Sequence, residues 1–380
     1  MNGYAEMKKC VHIVTTLELG GAQQNTVFTA SNLRNFEGIL ITGSEGIIAA
    51  PGITTYRVSA LARKINPVKD IRALIKIFVL LWIIKPEIVH THSSKAGILG
   101  RWAAFFAGVP VIIHTFHGFG FNDWQRPFTK KLFIFAEKVT AKISTHLFAV
   151  SVKNLVKAVA LGICRDSGIS LVHSGIDIKK WEGRLTPKQA RERFGISPGA
   201  LVCGMVSCFK LQKAPVDFVE IAKRLLKIYP EMRFILVGDG VLRGEIEKKL
   251  HKYRIADSFI LAGWRNDPEN ILPAFDVNVL TSLWEGLPRV ILEAGVCMIP
   301  SVVSEVDGNS EIITSGISGF LVKPRDISGF VEKIGYLFKS PDEGRVFAHK
   351  LRKKIIGDFD IRNMVCLIER KYEELLSGAE

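Results

Sequence analysis

The sequence has no CxxC pair and no cysteine–histidine spacing of the kind that binds zinc, although it contains six cysteines. Cys10, Cys164, Cys203, Cys208, Cys297 and Cys366 are scattered, several within apolar runs. Buried free thiols are the expectation, which suits a reducing, cytoplasmic setting. Long apolar stretches are also missing. The run Ile77–Ile84 is far short of the roughly 20 residues that cross a bilayer, so no membrane span is expected. Met1–Lys9 is polar and no apolar region follows closely, which argues against a secretory signal. No stretch is of low complexity. Acidic residues are the minority charge, 37 Asp+Glu against 51 Lys+Arg, for a net charge of +14. Residues 1–177 hold 20 Lys+Arg against 10 Asp+Glu, so most of the basic excess sits in the first half. A basic surface draws nucleic acid, anionic lipid or phosphorylated substrates, and charge alone does not choose among them. No nucleic-acid-binding motif is present, so nucleic acid is not an expected partner.

What is there is a chain of 380 residues, too long for one ordinary core, in which short apolar runs alternate with helical patterns. In the first half, strands are expected at Cys10–Thr16, Ile39–Thr42, Thr54–Val58, Ile88–Thr91, Val111–Thr115 and Leu147–Val150. In the second half they are expected at Leu201–Val206, Arg233–Val237, Phe259–Leu261, Val277–Leu280, Ser301–Val303 and Gly319–Val322. Helices are expected between them, among them Pro67–Ile84 and Lys95–Ala107. This alternation, occurring twice, predicts an α/β protein of two doubly wound parallel-sheet domains. The expected boundaries are 1–177, a joining stretch 178–198, 199–360, and a last helix within 361–380 that packs back toward the first domain. Asp360 suits the cap of that helix, which explains Asp358 and Asp360 better than a metal site does. Ligands of such folds bind at the carboxyl ends of strands, so a cleft between the domains is the expected site.

The segment Thr281–Ala294, TSLWEGLPRVILEA, is the richest in chemistry. A strand ends near Thr281, Gly286 permits an unusual turn, and Pro288 suits the first turn of a helix. Free N–H groups at that helix start would suit a phosphate, with Arg289 as a possible added charge. Glu285 and Glu293 are eight residues apart, about 12 Å if the intervening chain is helical. That is too far to share one metal ion but fits two ends of an extended, hydroxyl-rich ligand. The bland alternative makes both solvated charges. Gly238-Asp239-Gly240 continues only to Gly244 and lacks the spacing of a dinucleotide-binding loop.

Thr281–Ala294 resembles the E-x7-E motif of the family 4 glycosyltransferases, which have the GT-B fold of two Rossmann-like domains. Met205–Pro215, Leu236–Arg243, Leu261–Asp267 and Asp307–Val322 resemble further family segments, as do Leu19–Gln23, His117–Gly118 and Ser174–Asp177. The resemblance implies a retaining transferase that uses a nucleotide-sugar, UDP- or GDP-linked, as co-substrate. It implies no tightly bound cofactor and no metal. By this likeness Glu293 holds the ribose, Glu285 the donor sugar and Lys213 the diphosphate, and His117 touches the transferred sugar. Ser207, Lys210, Gly238, Gly286, Leu287 and Pro288 complete the donor surroundings, and Gly20 and Gly21 form a glycine-rich loop after the first strand. From spacing alone, Gly20–Gly21 is a plain turn and His117 a structural histidine. Cys208 stands where the family usually has arginine, so one cation is missing unless Lys210 supplies it. Ser174 replaces the commoner asparagine.

On the other side of the expected cleft, HSSKAGILGR begins at His92, with Ser93 and Ser94 as plausible caps and Lys95 and Arg101 either as phosphate contacts or as the solvated bases of a capped helix. His90, His92 and His114 lack an evident carboxylate partner and read as structural. Phe119–Lys142 interleaves Phe121, Trp124, Phe128, Phe133 and Phe135 with Arg126, Lys130, Lys131, Lys138 and Lys142. Such a segment can dock on an anionic membrane or be a core stripe with a basic outer face. HSSKAGILGR with HTFHGFGF resembles family members that build lipid-linked surface polysaccharides such as lipopolysaccharide, capsule and exopolysaccharide. The expected acceptor is therefore a glycan or a polyprenyl-diphosphate-linked sugar, met at the inner membrane face. The alternative is a nucleotide-sugar epimerase or another two-domain nucleotide-binding enzyme.

Overall fold

A computed structural model describes residues 7–46 and 48–378. Most of the polar opening stretch Met1–Lys9 thus lies outside the described residues. The chain forms two compact units, Met1–Gly175 together with Ile361–Glu380, and Ile176–Asp360.

In the first unit the strands are β1 (Lys8–Val14), β2 (Phe36–Thr42), β3 (Thr54–Arg57), β4 (Ile88–His92), β5 (Val111–Phe116), β6 (His146–Ala149) and β7 (Ile169–Leu171). Helices α1 (Gly21–Ser31), α2 (Pro67–Ile84), α3 (Ser94–Phe106), α4 (Pro127–Ala141) and α5 (Val152–Ala160) alternate with them. The order across the sheet is β3-β2-β1-β4-β5-β6-β7, and each pairing is parallel. The short β7 is the strand the sequence pattern did not announce. It follows a 3-10 turn at Asp166–Gly168 and has only three residues, too few to display a period of two.

The second unit starts with α6 (Pro187–Glu192) and has strands β8 (Val202–Val206), β9 (Arg233–Val237), β10 (Phe259–Gly263), β11 (Val277–Leu280), β12 (Ser301–Ser304) and β13 (Phe320–Val322). Its helices are α7 (Pro215–Leu225), α8 (Arg243–Tyr253), α9 (Arg289–Val296), α10 (Asn309–Ile312), α11 (Ile327–Lys339) and α12 (Pro341–Asp358). The order is β10-β9-β8-β11-β12-β13, again parallel. The stretch 178–198 is folded: Thr186 and Gln189 form a capping box at the start of α6, and Arg191 bonds Asp276 at 2.7 Å.

The last helix, α13 (Ile361–Ser377), belongs to the first unit. Its Ile361, Met364, Val365, Ile368, Tyr372 and Leu376 pack on Cys10, Phe36, Ile88, Val111, Ile113 and Phe148 of the sheet. Glu369 accepts hydrogen bonds from the backbone N–H of Arg34 and Asn35 at 2.6 and 2.8 Å, which fixes the helix along its length.

Both sheets have the strand order that reverses at one point, β1/β4 in the first unit and β8/β11 in the second. Chains leaving adjacent strands there diverge, and the opening between them receives ligands.

Candidate functional site

In the second unit the reversal point brings together the two richest segments of the sequence. After β8 the chain runs through Ser207, Cys208 and Lys210 into a 3-10 turn, Leu211–Lys213, before α7 begins. After β11 it runs through Thr281 and Glu285 to α9. The Thr281 hydroxyl donates to the carbonyls of Lys213 and Ala214 at 3.0 and 2.9 Å, and Leu283 N–H donates to Gln212 at 2.7 Å. These bonds lock the loops to each other. As a result the Lys213 ammonium meets the Glu285 carboxylate at 2.5 Å, where Ser282 also donates at 2.5 Å. Glu285 is only 6% exposed, and Asp307 accepts from its backbone N–H at 2.7 Å. Ser282 and Asp307 are parts of this half-site that sequence reasoning did not single out. Their partners are three and 22 residues away in the chain, and only the folded turn shows the contacts.

Glu293 is no solvated helix charge. It is 7% exposed on α9, with Arg289 one turn before it at 3.0 Å. Burial pushes its carboxyl above the usual carboxylate range, while Arg289 and Lys180 pull the other way. Arg289 is therefore engaged by Glu293. Lys210 lies near the vacant arginine position with its side chain in no ion pair among the described residues. The first turn of α9 carries no side-chain cap, with Pro288 at its start and Gly286 and Leu287 leading in. Gly308 N–H donates to Gly286 at 3.1 Å, and a Cβ on Gly308 would meet that same carbonyl at 2.2 Å. Gly238 has a comparable role at the end of β9. Its φ is 121°, and a Cβ there would lie 1.9 Å from the Ser207 carbonyl. The glycines of the Gly238–Gly240 turn thus serve close packing of two loops. The Ser207 hydroxyl is buried and has no hydrogen-bond partner among the described residues.

In the first unit the reversal point lies between the ends of β1 and β4. Ser93, read from sequence as a helix cap, holds the N-cap position of α3, but its side chain makes no capping hydrogen bond. Its φ is 63° and its hydroxyl bonds Thr15 across the opening at 2.7 Å. Ser94 is the first residue of α3. Gly20 precedes α1 in extended conformation, φ −172°, and Gly21 is the first residue of α1. A Cβ on Gly20 would meet only the flexible end of Gln23, so local geometry does not require glycine there.

Two bases proposed from sequence as phosphate contacts are otherwise engaged. Lys95 pairs with Asp70 at 2.5 Å. Arg101 is wholly buried, bonded to Glu137 at 2.6 Å, to the Gly97 carbonyl at 2.8 Å and to Ser144 at 3.3 Å. The apolar faces of α3 and α4 close over this pair, so Arg101 holds helices together and meets no ligand. Arg101→Met leaves Glu137 as a buried charge without its partner, and a loss of about 3–5 kcal/mol is expected. Arg101→Met with Glu137→Leu recovers most of it, as denaturant melts of the three proteins will show.

His117 follows β5 and lies beside His92, whose Nδ1 is 3.1 Å from His117 Nε2. His12 on β1 and His90 and His92 on β4 share one face of the sheet, and their ring nitrogens lie within 4.8 Å of one another. Such a cluster has donor atoms suited to a metal. Here, however, both ring nitrogens of each are already within bonding distance of a protein group. Burial lowers the basicity of all of them, to a pKa of about 3 for His12 and about 4 for His117. A small recess is lined by His92, Thr115, His117, Ser174 and Asn25. The Asn25 amide is 2% exposed and neither its oxygen nor its nitrogen has a partner among the described residues.

The free cysteines include Cys10 and Cys203, both fully buried with their thiols pushed up by desolvation. Among the described residues no helix is long and apolar enough to cross a membrane.

Against known proteins, residues 188–356 match the family "Glycosyl transferases group 1" and residues 11–172 match "Glycosyl transferase 4-like domain". The chain is 34% identical over 330 residues to the UDP-Gal:alpha-D-GlcNAc-diphosphoundecaprenol alpha-1,3-galactosyltransferase of Escherichia coli, covering 85% of this chain and 84% of that one. It is 22% identical to the capsular polysaccharide biosynthesis glycosyltransferase CapM of Staphylococcus aureus, over 85% of this chain and 86% of the relative. Among solved structures, HepE from Anabaena, crystallised with UDP and glucose, superposes with a TM-score of 0.82 at 18% identity, over 96% of this chain and 99% of that one. WaaG, a glycosyltransferase of lipopolysaccharide biosynthesis, superposes with a TM-score of 0.79 at 13% identity, over 95% and 98% of the two chains. The fold is GT-B.

Proposed function

The chain belongs to the family 4 glycosyltransferases, and on that premise we propose that it moves galactose from UDP-galactose to N-acetylglucosamine on a polyprenyl diphosphate, with retention at the anomeric carbon. The observation that carries this reading is the 34% identity to the E. coli galactosyltransferase over 85% of the chain. In this reading Glu293 accepts the ribose hydroxyls, Glu285 the sugar hydroxyls, and His117 a further sugar hydroxyl. Lys213 has three N–H donors, and its bond to Glu285 leaves the others for the diphosphate. Lys210 supplies the cation that Cys208 does not. Departure of UDP then rests on Lys213, Lys210, the Ser207 hydroxyl and the open N–H groups of α9, fixed donors aimed at the charge that develops. A metal has no task left in this scheme.

The test is UDP release from UDP-galactose in the presence of a GlcNAc-diphospho-lipid, with NMR of the product. Transfer giving an α-linkage and persisting in EDTA is the expected outcome. Turnover with no galactose on the acceptor, or a β-linked product, would overturn the reading.

The acceptor's lipid chain suggests where the enzyme works. Helix α2 exposes Ile71, Ile75, Val79 and Trp82 on the face opposite its buried Ala73, Ile77 and Leu81, with Arg72 and Lys76 exposed alongside. Helix α4 exposes Phe128, Leu132 and Phe135, with Lys131 exposed between them. The aromatic segment thus divides: Phe121 is buried and Phe133 packs on the core, while Trp124, Phe128 and Phe135 stand out. We propose that these apolar, basic faces rest on the anionic membrane surface. Sedimentation with phosphatidylglycerol vesicles at low salt, weakened by Phe128→Ser and Trp82→Ser, is expected. A protein that stays in the supernatant sinks the idea.

A further inference from the structure

The buried histidines form two hydrogen-bonded runs, and each has one end at the same recess. From Thr115 the first run goes to His90 Nε2 at 2.7 Å, and from His90 Nδ1 to the Tyr372 hydroxyl at 2.5 Å. In the second, Cys10 Sγ lies 3.5 Å from His12 Nε2, His12 Nδ1 lies 3.1 Å from His92 Nε2, and His92 Nδ1 lies 3.1 Å from His117 Nε2. Thr115, His92 and His117 line the recess, together with the unpartnered Asn25 amide. His117 Nδ1, the last atom of the second run, has no partner among the described residues.

Hydrogen counting restricts the second run severely. A neutral imidazole has one N–H and one bare nitrogen, so each ring donates once and accepts once. Between His12, His92 and His117 each N···N contact holds one hydrogen. If His92 carries it on Nδ1, then His12 and His117 must also carry theirs on Nδ1. The Cys10 thiol beside His12 Nε2 adds one hydrogen and fits either sense. This run therefore has two consistent states, with His12, His92 and His117 all Nδ1–H or all Nε2–H. In the first state His117 offers a donor to whatever enters the recess, and in the second an acceptor. His114 stands apart, because its Nδ1 meets Thr91, whose hydroxyl donates to the Ile113 carbonyl. The ring is thereby held as Nδ1–H without either run.

We propose that His12, His92 and Cys10 are positioning residues that tie the tautomer of His117 to their own, and so decide whether it gives or takes the hydrogen bond to a sugar hydroxyl. The role of His117 rests on the function proposed above, but the tautomer does not. That separates the two tests. Absence of galactosyl transfer by the wild type would sink the function and leave the tautomer question intact.

The experiment is a long-range proton–nitrogen spectrum of the full chain with labelled histidine at pH 7.5, without ligand. His12, His92 and His117 should show one shared tautomer. In His12→Phe, His92 and His117 should populate both forms. In Tyr372→Phe, which alters only the run through His90, the three should stay alike. Kinetics add a second readout: kcat with UDP-galactose should fall about 10-fold in His12→Phe, one hydrogen bond's worth, with KM for the donor unchanged. Opposite tautomers among His12, His92 and His117 in the wild type would overturn the proposal. So would a single unaltered His117 form in folded His12→Phe. Should His12→Phe not fold by circular dichroism, Cys10→Ala shortens the run with a smaller change and is read by the same criteria.

Discussion

Lowering the pH from 7.5 to 5.5 is expected to remove most of the stability of the unit formed by Met1–Gly175 and Ile361–Glu380. Burial depresses the basicity of His12, His90, His92, His114 and His117, with neighbouring histidines and Arg101 adding to the effect at several of them. Folded pKa values below the unfolded value of 6.5 mean that the unfolded chain binds more protons throughout the window between them. Stability is therefore complete above pH 6.5 and is lost as the pH falls toward the folded values. Each group contributes about 1.4 kcal/mol per pH unit in that window, so the five together lose about 7 kcal/mol at pH 5.5. Whole-domain stabilities are about 5–15 kcal/mol, so this loss is close to unfolding. The second unit is expected to respond with opposite sign near Glu293, whose folded pKa is raised. There the folded state holds the proton more tightly, and acidification from the folded pKa down to the unfolded one stabilises. Thermal melts at the two pH values, with hydrogen exchange to assign each transition, test both statements. A first unit equally protected at pH 5.5 and 7.5 contradicts the depressed values.

Lys213→Ala should lower kcat for sugar transfer by about 10²–10³-fold, the usual cost of removing one preorganised donor at a developing charge. Two effects combine. In the proposed reaction the departing diphosphate loses its cation, and Glu285, 6% exposed, loses its ion-pair partner and keeps only Ser282 as a side-chain donor. Lys213→Arg is not expected to rescue, because a guanidinium cannot reproduce the single-point bond at 2.5 Å in the same space. Lys210→Ala should also lower kcat but by less, since its ammonium is not part of the locked Lys213–Glu285 turn. Steady-state kinetics with UDP-galactose give both answers. Unchanged turnover in Lys213→Ala would remove this residue from the chemistry.

The two families of effects differ in how far the sequence announced them. The strand and helix pattern was legible because each element carries its own period. Helix α2 has the bounds its apolar stripe and its terminal proline indicate, and β9 and β11 begin and end where their apolar runs do. Strand β7 escaped because three residues show no period. The acidic pair Glu285 and Glu293 could be read as two ends of one ligand, since eight residues of chain set their separation. Arg101 was misread as a phosphate contact for the opposite reason. A base four residues after Gly97 on a helix reads as solvated, and only the packing of α4 brings Glu137 to it.

The sequence by itself thus determined the two α/β halves, the positions of all their strands but β7, and the acidic motif around Glu285, because those depend on residues close in the chain. Tertiary structure alone decided which charges are spent on each other. Lys213 and Glu285 are 72 residues apart, and Arg101 and Glu137 are 36 apart. It also decided the two histidine runs, which join β1, β4 and β5 and reach a tyrosine 282 residues beyond His90. Those pairings follow from strand order and from where α13 returns to the first sheet. No local pattern encodes either, since both are set by how all the apolar faces are buried at once.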